Sequence, residues 1–346
     1  MALLPTSLPA NFTTLAEDGN QSNSNNCSLQ SNNLSISSIT AYILSISVLG
    51  IVLNIFVLTV FVLHKKPCTV AEIYLSNLAA ADLFLVSFLP FWAANVYHKF
   101  DWIFGLAMCK MVNVSILMNV YCSIYFVVLI SIDRYLALVH PLSLEKMRRP
   151  KFAKICCAVV WILGLSLSIP KFINRKLVSH RNITSCSEPD ETLFQATEWM
   201  ILVLGFFIPI SIIFFCTAKI LKALRNRSIQ DVNAKKIDHK ANALVLAVLL
   251  AFLICWVPFH LRSMPTWLYK AGLLAECSSQ IIQHFCGQFF TYLAFFNSVA
   301  NPILYVIVGK NFRKKVKEVF LQRNYKWSPT MTFRSSRTKL SFMHPS

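Results

Sequence analysis

Asp133-Arg134-Tyr135 and, far downstream, Asn301-Pro302-Ile303-Leu304-Tyr305 are the stretches whose reading decides the fold. The first closes a long apolar run; the second lies inside another. An ionisable triplet at a membrane boundary is costly, and so is a proline among polar residues within a span, so neither is filler. Working outward from them, seven apolar blocks emerge, near residues 39–63, 73–97, 107–132, 154–172, 199–221, 241–265 and 284–308. About 20 mostly apolar residues cross the roughly 30 Å hydrocarbon layer as a helix. Backbone groups in lipid must be satisfied internally, so the blocks are helices and not isolated strands. The expected fold is an all-α membrane protein, a seven-transmembrane helix bundle.

Composition agrees. The 346 residues are 55% hydrophobic and only 14% charged, against about 25% charged in soluble domains. The 33 Lys and Arg outnumber the 15 Asp and Glu, and none occurs before Lys65. Basic residues then crowd alternate loops: Lys65 and Lys66; Lys146, Arg148, Arg149 and Lys151; Lys222, Arg225, Arg227, Lys235 and Lys236; and Lys310, Arg313, Lys314, Lys315 and Lys317. The positive-inside bias puts the N-terminus outside and the tail in the cytoplasm. Such basicity beside apolar spans answers to anionic lipid and not to nucleic acid.

The sequence divides into a disordered, glycosylated extracellular segment 1–38, a bundle 39–308, a short amphipathic cytoplasmic helix 309–322 and a disordered tail 323–346. Residues 1–38 lack a basic n-region with a compact apolar core, so the first span is expected to direct its own insertion. Glycosylation sequons on the expected outer side begin at Asn11, Asn20, Asn26, Asn33 and Asn182. Those at Asn113 and Asn226 fall within a span and on the cytoplasmic side, and are discounted. After Gly309, Phe312, Val316, Val319 and Phe320 recur at helical spacing among basic residues, which reads as a helix on the inner leaflet. Ser328, Thr330, Thr332, Ser335, Ser336, Thr338 and Ser341 in the tail are phosphorylation candidates for a receptor kinase, and the added charge would recruit arrestin.

Of 11 cysteines, four lie on the outer side: Cys27, Cys109, Cys186 and Cys277. An even number on an oxidising face points to two disulfides, for which three pairings exist. Cys109 with Cys186 would pin the loop after the fourth span over the bundle. Cys27 with Cys277 would then tie the N-terminus to the last outer loop. No Cys follows Cys286, so no palmitoyl anchor is expected in the tail.

Polar residues inside the spans come next. A mid-helix Asp costs about 2.5–3.5 kcal/mol on insertion scales, so Asp82 should face the bundle interior. Asn54, Asn119, Ser123, Asn297, Ser298 and Asn301 lie at comparable depth. Together they read as a polar cavity with oxygen ligands for an allosteric sodium ion; the alternative is an interhelical hydrogen-bond network without an ion. Pro258 in Cys255-Trp256-Val257-Pro258 should kink the sixth helix, with Phe252 and Trp256 at the bend as a two-state element. No catalytic or metal-ligating constellation stands out, so no enzyme reading is supported.

These residues together resemble the class A (rhodopsin-like) G-protein-coupled receptors. The matching elements are Asn54 with Val57, Leu78-Ala-Ala-Ala-Asp82, Trp102 with Phe104-Gly105, Cys109, Asp133-Arg134-Tyr135, Trp161, Cys186, Pro209, Cys255-Trp-Val-Pro258 and Asn301-Pro-Ile-Leu-Tyr305. Within the class the chain is similar to the bradykinin (kinin) receptors, through Thr69-Val-Ala-Glu-Ile-Tyr-Leu-Ser-Asn-Leu-Ala-Ala-Ala-Asp82, Leu89-Pro-Phe-Trp-Ala93, Ser131-Ile-Asp-Arg-Tyr-Leu-Ala-Leu-Val139 and Tyr305-Val-Ile-Val-Gly-Lys310. The resemblance implies a multi-pass plasma-membrane receptor, activated by an extracellular peptide and coupled to heterotrimeric G proteins of the Gq class, with calcium release. It implies a switch in Asp133, Arg134, Tyr135, Phe252, Trp256, Pro258 and Tyr305. Ligand contacts are expected from Trp92, Arg175, Phe259, Arg262, His284 and Gln288. The family's charged handles are replaced at Leu117, Thr266 and His284, so Arg175 and Arg262 are left to meet a peptide carboxylate. Asp101, Glu188, Asp190, Glu191, Glu198 and Glu276 are left to meet basic ligand groups.

Other functions fit less well. An opsin needs a Schiff-base Lys in 284–308, and there is none. An aminergic receptor needs a buried acid between Met111 and Tyr125, and there is none. A transporter would show internal repeats. Phe88 stands where chemokine receptors carry Thr. Receptors for another short peptide, angiotensin-like or chemokine-like, and a non-signalling scavenger are the remaining alternatives; the intact Asp133-Arg134-Tyr135 speaks against the last.

Overall fold

The computed structural model describes residues 33–140, 149–180, 182–226, 232–261 and 264–327. Its elements in chain order are α1 (Asn33–Leu63), α2 (Val70–Tyr97), α3 (Gly105–Val139), α4 (Pro150–Asn174), β1 (Lys176–His180), β2 (Ile183–Ser187), α5 (Glu191–Leu202), α6 (Ile208–Asn226), α7 (Val232–Leu261), α8 (Met264–Lys270), α9 (Glu276–Ile307) and α10 (Lys310–Trp327). A π-helical turn, Val203–Phe207, joins α5 to α6, so these form one span. Among the described residues, six helices are long and apolar enough to cross a membrane, α5–α6 counting as one. The sixth apolar block is the Leu246–Leu261 portion of α7, a shorter apolar stretch.

Local chemistry explains the boundaries. Thr69 and Glu72 form a reciprocal cap at the start of α2: Glu72 Oε2 accepts from the Thr69 amide at 2.8 Å, and Thr69 Oγ1 accepts from the Glu72 amide. Pro150 opens α4, where its missing N–H costs nothing. Asp190 caps α5 by accepting from the Leu193 amide. The π turn has a clear accounting. Ile208 N–H bonds to Val203 O, five residues back, so the donor that Pro209 lacks would have served Leu204 O. The Tyr125 hydroxyl takes that carbonyl instead, at 2.9 Å.

α3 is the hub, packing against α2, α4, α6 and α7, while α1 lies against α2 and α9. Close approach depends on two glycines. A Cβ at Gly50 would meet Val86 Cγ1 at 2.6 Å, and one at Gly164 would meet Cys122 Sγ at 2.6 Å.

Several boundaries correct the sequence reading. α1 starts at Asn33, inside the segment expected to be disordered to residue 38. The run from Ile36 is already apolar enough to join the span. α10 runs from Lys310 to Trp327, past the expected end at 322, because no Gly or Pro breaks it before Pro329. Asp133-Arg134-Tyr135 lies within α3, which continues to Val139. The loop after α4 is a β-hairpin, which residue patterning did not foretell. His180 pairs with Ile183 across its tip, where Asn182 takes the left-handed φ of 65° that such turns require.

Candidate functional site

Functional side chains gather at three levels. At the hairpin end, a disulfide joins Cys109, near the start of α3, to Cys186 on β2. The Thr184 carbonyl accepts from the Trp102 amide, and the Thr184 amide donates to Asp101 Oδ1 at 2.9 Å. On the opposite flank Asn174 and the backbone of Asp190 exchange two hydrogen bonds, at 2.9 and 3.0 Å. Between them lies a buried charge cluster. Lys171 Nζ is 2.9 Å from Glu188, Arg175 Nη2 is 3.3 Å from Glu188 Oε2, and Arg175 Nη1 donates to the Cys186 carbonyl at 2.7 Å. Burial pulls the Arg175 guanidinium down to about 10, with Glu188 acting in the opposite sense; it remains charged at neutral pH.

This placement bears on the expected ligand set. Arg175 is buried and already engaged with Glu188 and Cys186, so it is not a free handle for a ligand carboxylate. Sequence alone reads a boundary arginine the same way in either case. Among the acids expected to meet basic ligand groups, Glu188 holds Arg175 and Lys171, Asp101 holds the hairpin, and Asp190 caps α5. Glu191 is exposed and accepts from Gln195. Trp92 and Phe259 are buried, Gln288 is half-buried, and Phe259 stacks edge-on to Trp256 at 5.3 Å. Leu117 is fully buried. Arg262 and Cys27 lie outside the described residues, as do the side chains of Thr266, Glu276, Cys277 and His284; the Cys27–Cys277 pairing is therefore not described. So do Asn11, Asn20 and Asn26, whereas Asn182 is exposed at the hairpin tip. Asn33 is the first residue of α1. Asn113, discounted as a sequon, is buried and donates to the Cys109 carbonyl.

At mid-depth, Asp82 is fully buried and accepts three hydrogen bonds: from Asn119 Nδ2 at 2.9 Å and Ser298 Oγ at 2.8 Å on Oδ1, and from Asn301 Nδ2 at 2.9 Å on Oδ2. Ser123 stands beside the same carboxylate. Asn54 Nδ2 bridges to the Ser298 carbonyl at 2.9 Å. Donors from α3 and α9 thus converge on the acid of α2, with α1 joined through Asn54, which only an inward-facing residue allows. The Oδ1 atoms of Asn54, Asn119, Asn297 and Asn301 are buried and have no partner among the described residues. Asn297 is buried, and it is its neighbour Ser298 that donates to Asp82.

Nearby, Phe252 stacks on Trp256 at 5.8 Å in α7, which continues as helix through Pro258. At the opposite end from the hairpin, Arg134 is held by the adjacent Asp133, with Nε to Oδ2 at 3.0 Å. Tyr135 reaches His140 Nε2 at 3.0 Å, and its ring lies 5.8 Å from Phe215. Tyr305 is fully buried, and its ring meets Phe312 of α10, which also packs on Phe56 and Phe61 of α1. A hydrogen bond and an ion pair clasp α10 to the bundle: His64 Nε2 to Glu318 at 2.9 Å and Lys315 Nζ to Glu72 Oε2 at 2.9 Å. The hydrogen bond from His64 holds the Glu318 carboxyl below its usual range. Sequence reading found Phe312 but missed this clasp; its one local signal was the Thr69–Glu72 cap.

A hub helix with Arg134 at one end, a disulfide-pinned hairpin at the other and a buried acid between is the plan of a membrane signal receptor. Residues 53–305 match the model of the seven-transmembrane receptors of the rhodopsin family, and the chain belongs to that family. Within it, the chain is 45% identical over 279 residues to the B2 bradykinin receptor of Oryctolagus cuniculus, covering 79% of this chain and 76% of that one. It is 45% identical over 279 residues to the B2 receptor of Homo sapiens, covering 79% and 71%. To the human B1 bradykinin receptor it is 39% identical over 289 residues, covering 81% of each. It is a multi-pass membrane receptor and not an enzyme.

Proposed function

We propose that this chain is a plasma-membrane receptor for bradykinin-like kinins that activates heterotrimeric G proteins of the Gq class, raising cytosolic calcium. The observation that carries this reading is the 45% identity to B2 bradykinin receptors across most of the chain. The uneven distribution of Lys and Arg supports an extracellular N-terminus and hairpin, with Arg134 and α10 facing the cytoplasm. A peptide binding one state better than the other shifts the balance between them. Trp256 with Phe252, stacked in a Pro-containing helix, is the element that such a shift would move. At the cytoplasmic end the Asp133–Arg134 pair would open for the G protein. Exposed Phe320 and Leu321 among the basic residues of α10 suit the inner leaflet. Ser and Thr residues beyond Trp327 would take phosphate from a receptor kinase and recruit arrestin.

The mid-depth cluster fits sodium as a regulator. A fully buried carboxylate lies among amide oxygens that have no donors among the described residues, and oxygen ligands suit a hard cation. Asp82 would supply the charge, with Asn119, Ser123, Asn297 and Asn301 around it; the ion would favour the state that holds it.

With Arg175 engaged, the peptide carboxylate falls to Arg262. Labelled bradykinin should bind membranes from cells expressing the chain and be displaced by unlabelled peptide. Losing one partner of a desolvated charge pair costs about 2–5 kcal/mol, or roughly 30- to 5000-fold. Arg262→Ala should weaken the free acid on that scale and its C-terminal amide much less. Absence of specific binding at a surface-expressed receptor would overturn the kinin reading.

A further inference from the structure

Lys171 is 0% exposed, and the side chains of Arg175 and Glu188 are 2% and 1% exposed. Ions out of water are retained at a cost, and an apolar trio of similar volume usually does as well or better for stability alone. What the trio does here is geometric. Arg175 grips the carbonyl of Cys186 itself, and Lys171 and Arg175 grip the side chain of residue 188, so the chain is held at the disulfide cysteine and just after it. A disulfide alone fixes one point and leaves the hairpin free to swing about it. Asp101 and the Trp102 amide hold the strand at Thr184, on the α2–α3 side. The charge trio supplies the matching restraint on the α4 side.

We propose that Lys171, Arg175 and Glu188 form a buried clamp that sets the β1–β2 hairpin in its ligand-receiving position, so that Arg175 is a positioning residue and not a ligand contact. A hairpin already in place spares an incoming peptide the cost of ordering it. The binding consequence rests on the peptide-receptor reading; the clamp itself does not.

Hydrogen–deuterium exchange on purified receptor with the disulfide intact tests the clamp without any ligand. Arg175→Ala and Glu188→Ala should each speed exchange of the amides in 176–187 by about tenfold or more, as expected when a buried ion loses its partner. Because either variant can fail to fold, the triple variant Lys171→Met, Arg175→Met and Glu188→Leu is included; it removes every buried charge at once, and the same acceleration is expected of it. Wild-type exchange in the triple variant would overturn the proposal. The second arm measures bradykinin and its C-terminal amide on each variant that reaches the surface. A positioning role predicts equal losses for acid and amide, whereas a loss confined to the free acid would make Arg175 a ligand contact. If the unmutated receptor binds neither peptide, the kinin reading fails while the exchange arm still decides the clamp.

Discussion

At Asp82 the energetics of a single residue force a structure. An ionised carboxylate in a dry bundle is tolerable only with several donors, and Asn119, Ser298 and Asn301 supply three from two helices. Sodium would take up part of that role. Agonist affinity in membranes should therefore fall as sodium replaces a bulky organic cation at constant ionic strength, and Asp82→Ala should abolish the dependence. A full sodium effect in that variant would place the ion elsewhere. Asp82, Asn119 and Asn301 were legible in the sequence, since cost alone turns them inward. Arg175 was not: its partner Glu188 lies across a hairpin, and nothing in the residues between announces the pairing.

Elements show the same division. The spans were legible because twenty apolar residues admit few alternatives, whereas their ends were displaced where caps and apolar extensions decide. The hairpin and the π turn were hidden because both depend on contacts distant in sequence, with Asp101 and Tyr125 respectively. The clasp on α10 follows the same rule, joining His64 to Glu318. His64 holds the Glu318 pKa below its ordinary value, so the Glu318 contribution is present at neutral pH and fades only as pH falls through that lowered range. Helix contact is equally specific at Gly164. A methyl there meets Cys122 Sγ at 2.6 Å, and overpacking of this kind costs about 1–3 kcal/mol. Gly164→Ala should lower the thermal midpoint of the solubilised receptor, and adding Cys122→Ala should restore most of it. No recovery in the double variant would mean that the α3–α4 contact is limited by something other than this pair.

For the whole molecule, the described structure places a pinned hairpin, a polar centre and a clasped end helix along one hub helix, α3. The family was legible in its scattered motifs; the ligand's charge partners were not, because Leu117, at one of the expected handles, is apolar and buried. The central claim is that kinin binding at the hairpin end is transmitted to a G protein at the Arg134 end. Calcium release in transfected cells tests it most directly, with intact kinins and kinins lacking the C-terminal Arg applied separately. The account predicts a saturable calcium rise to at least one of the two in cells that display the receptor, and none in untransfected cells. Receptor present at the surface with no calcium response to either peptide would contradict it.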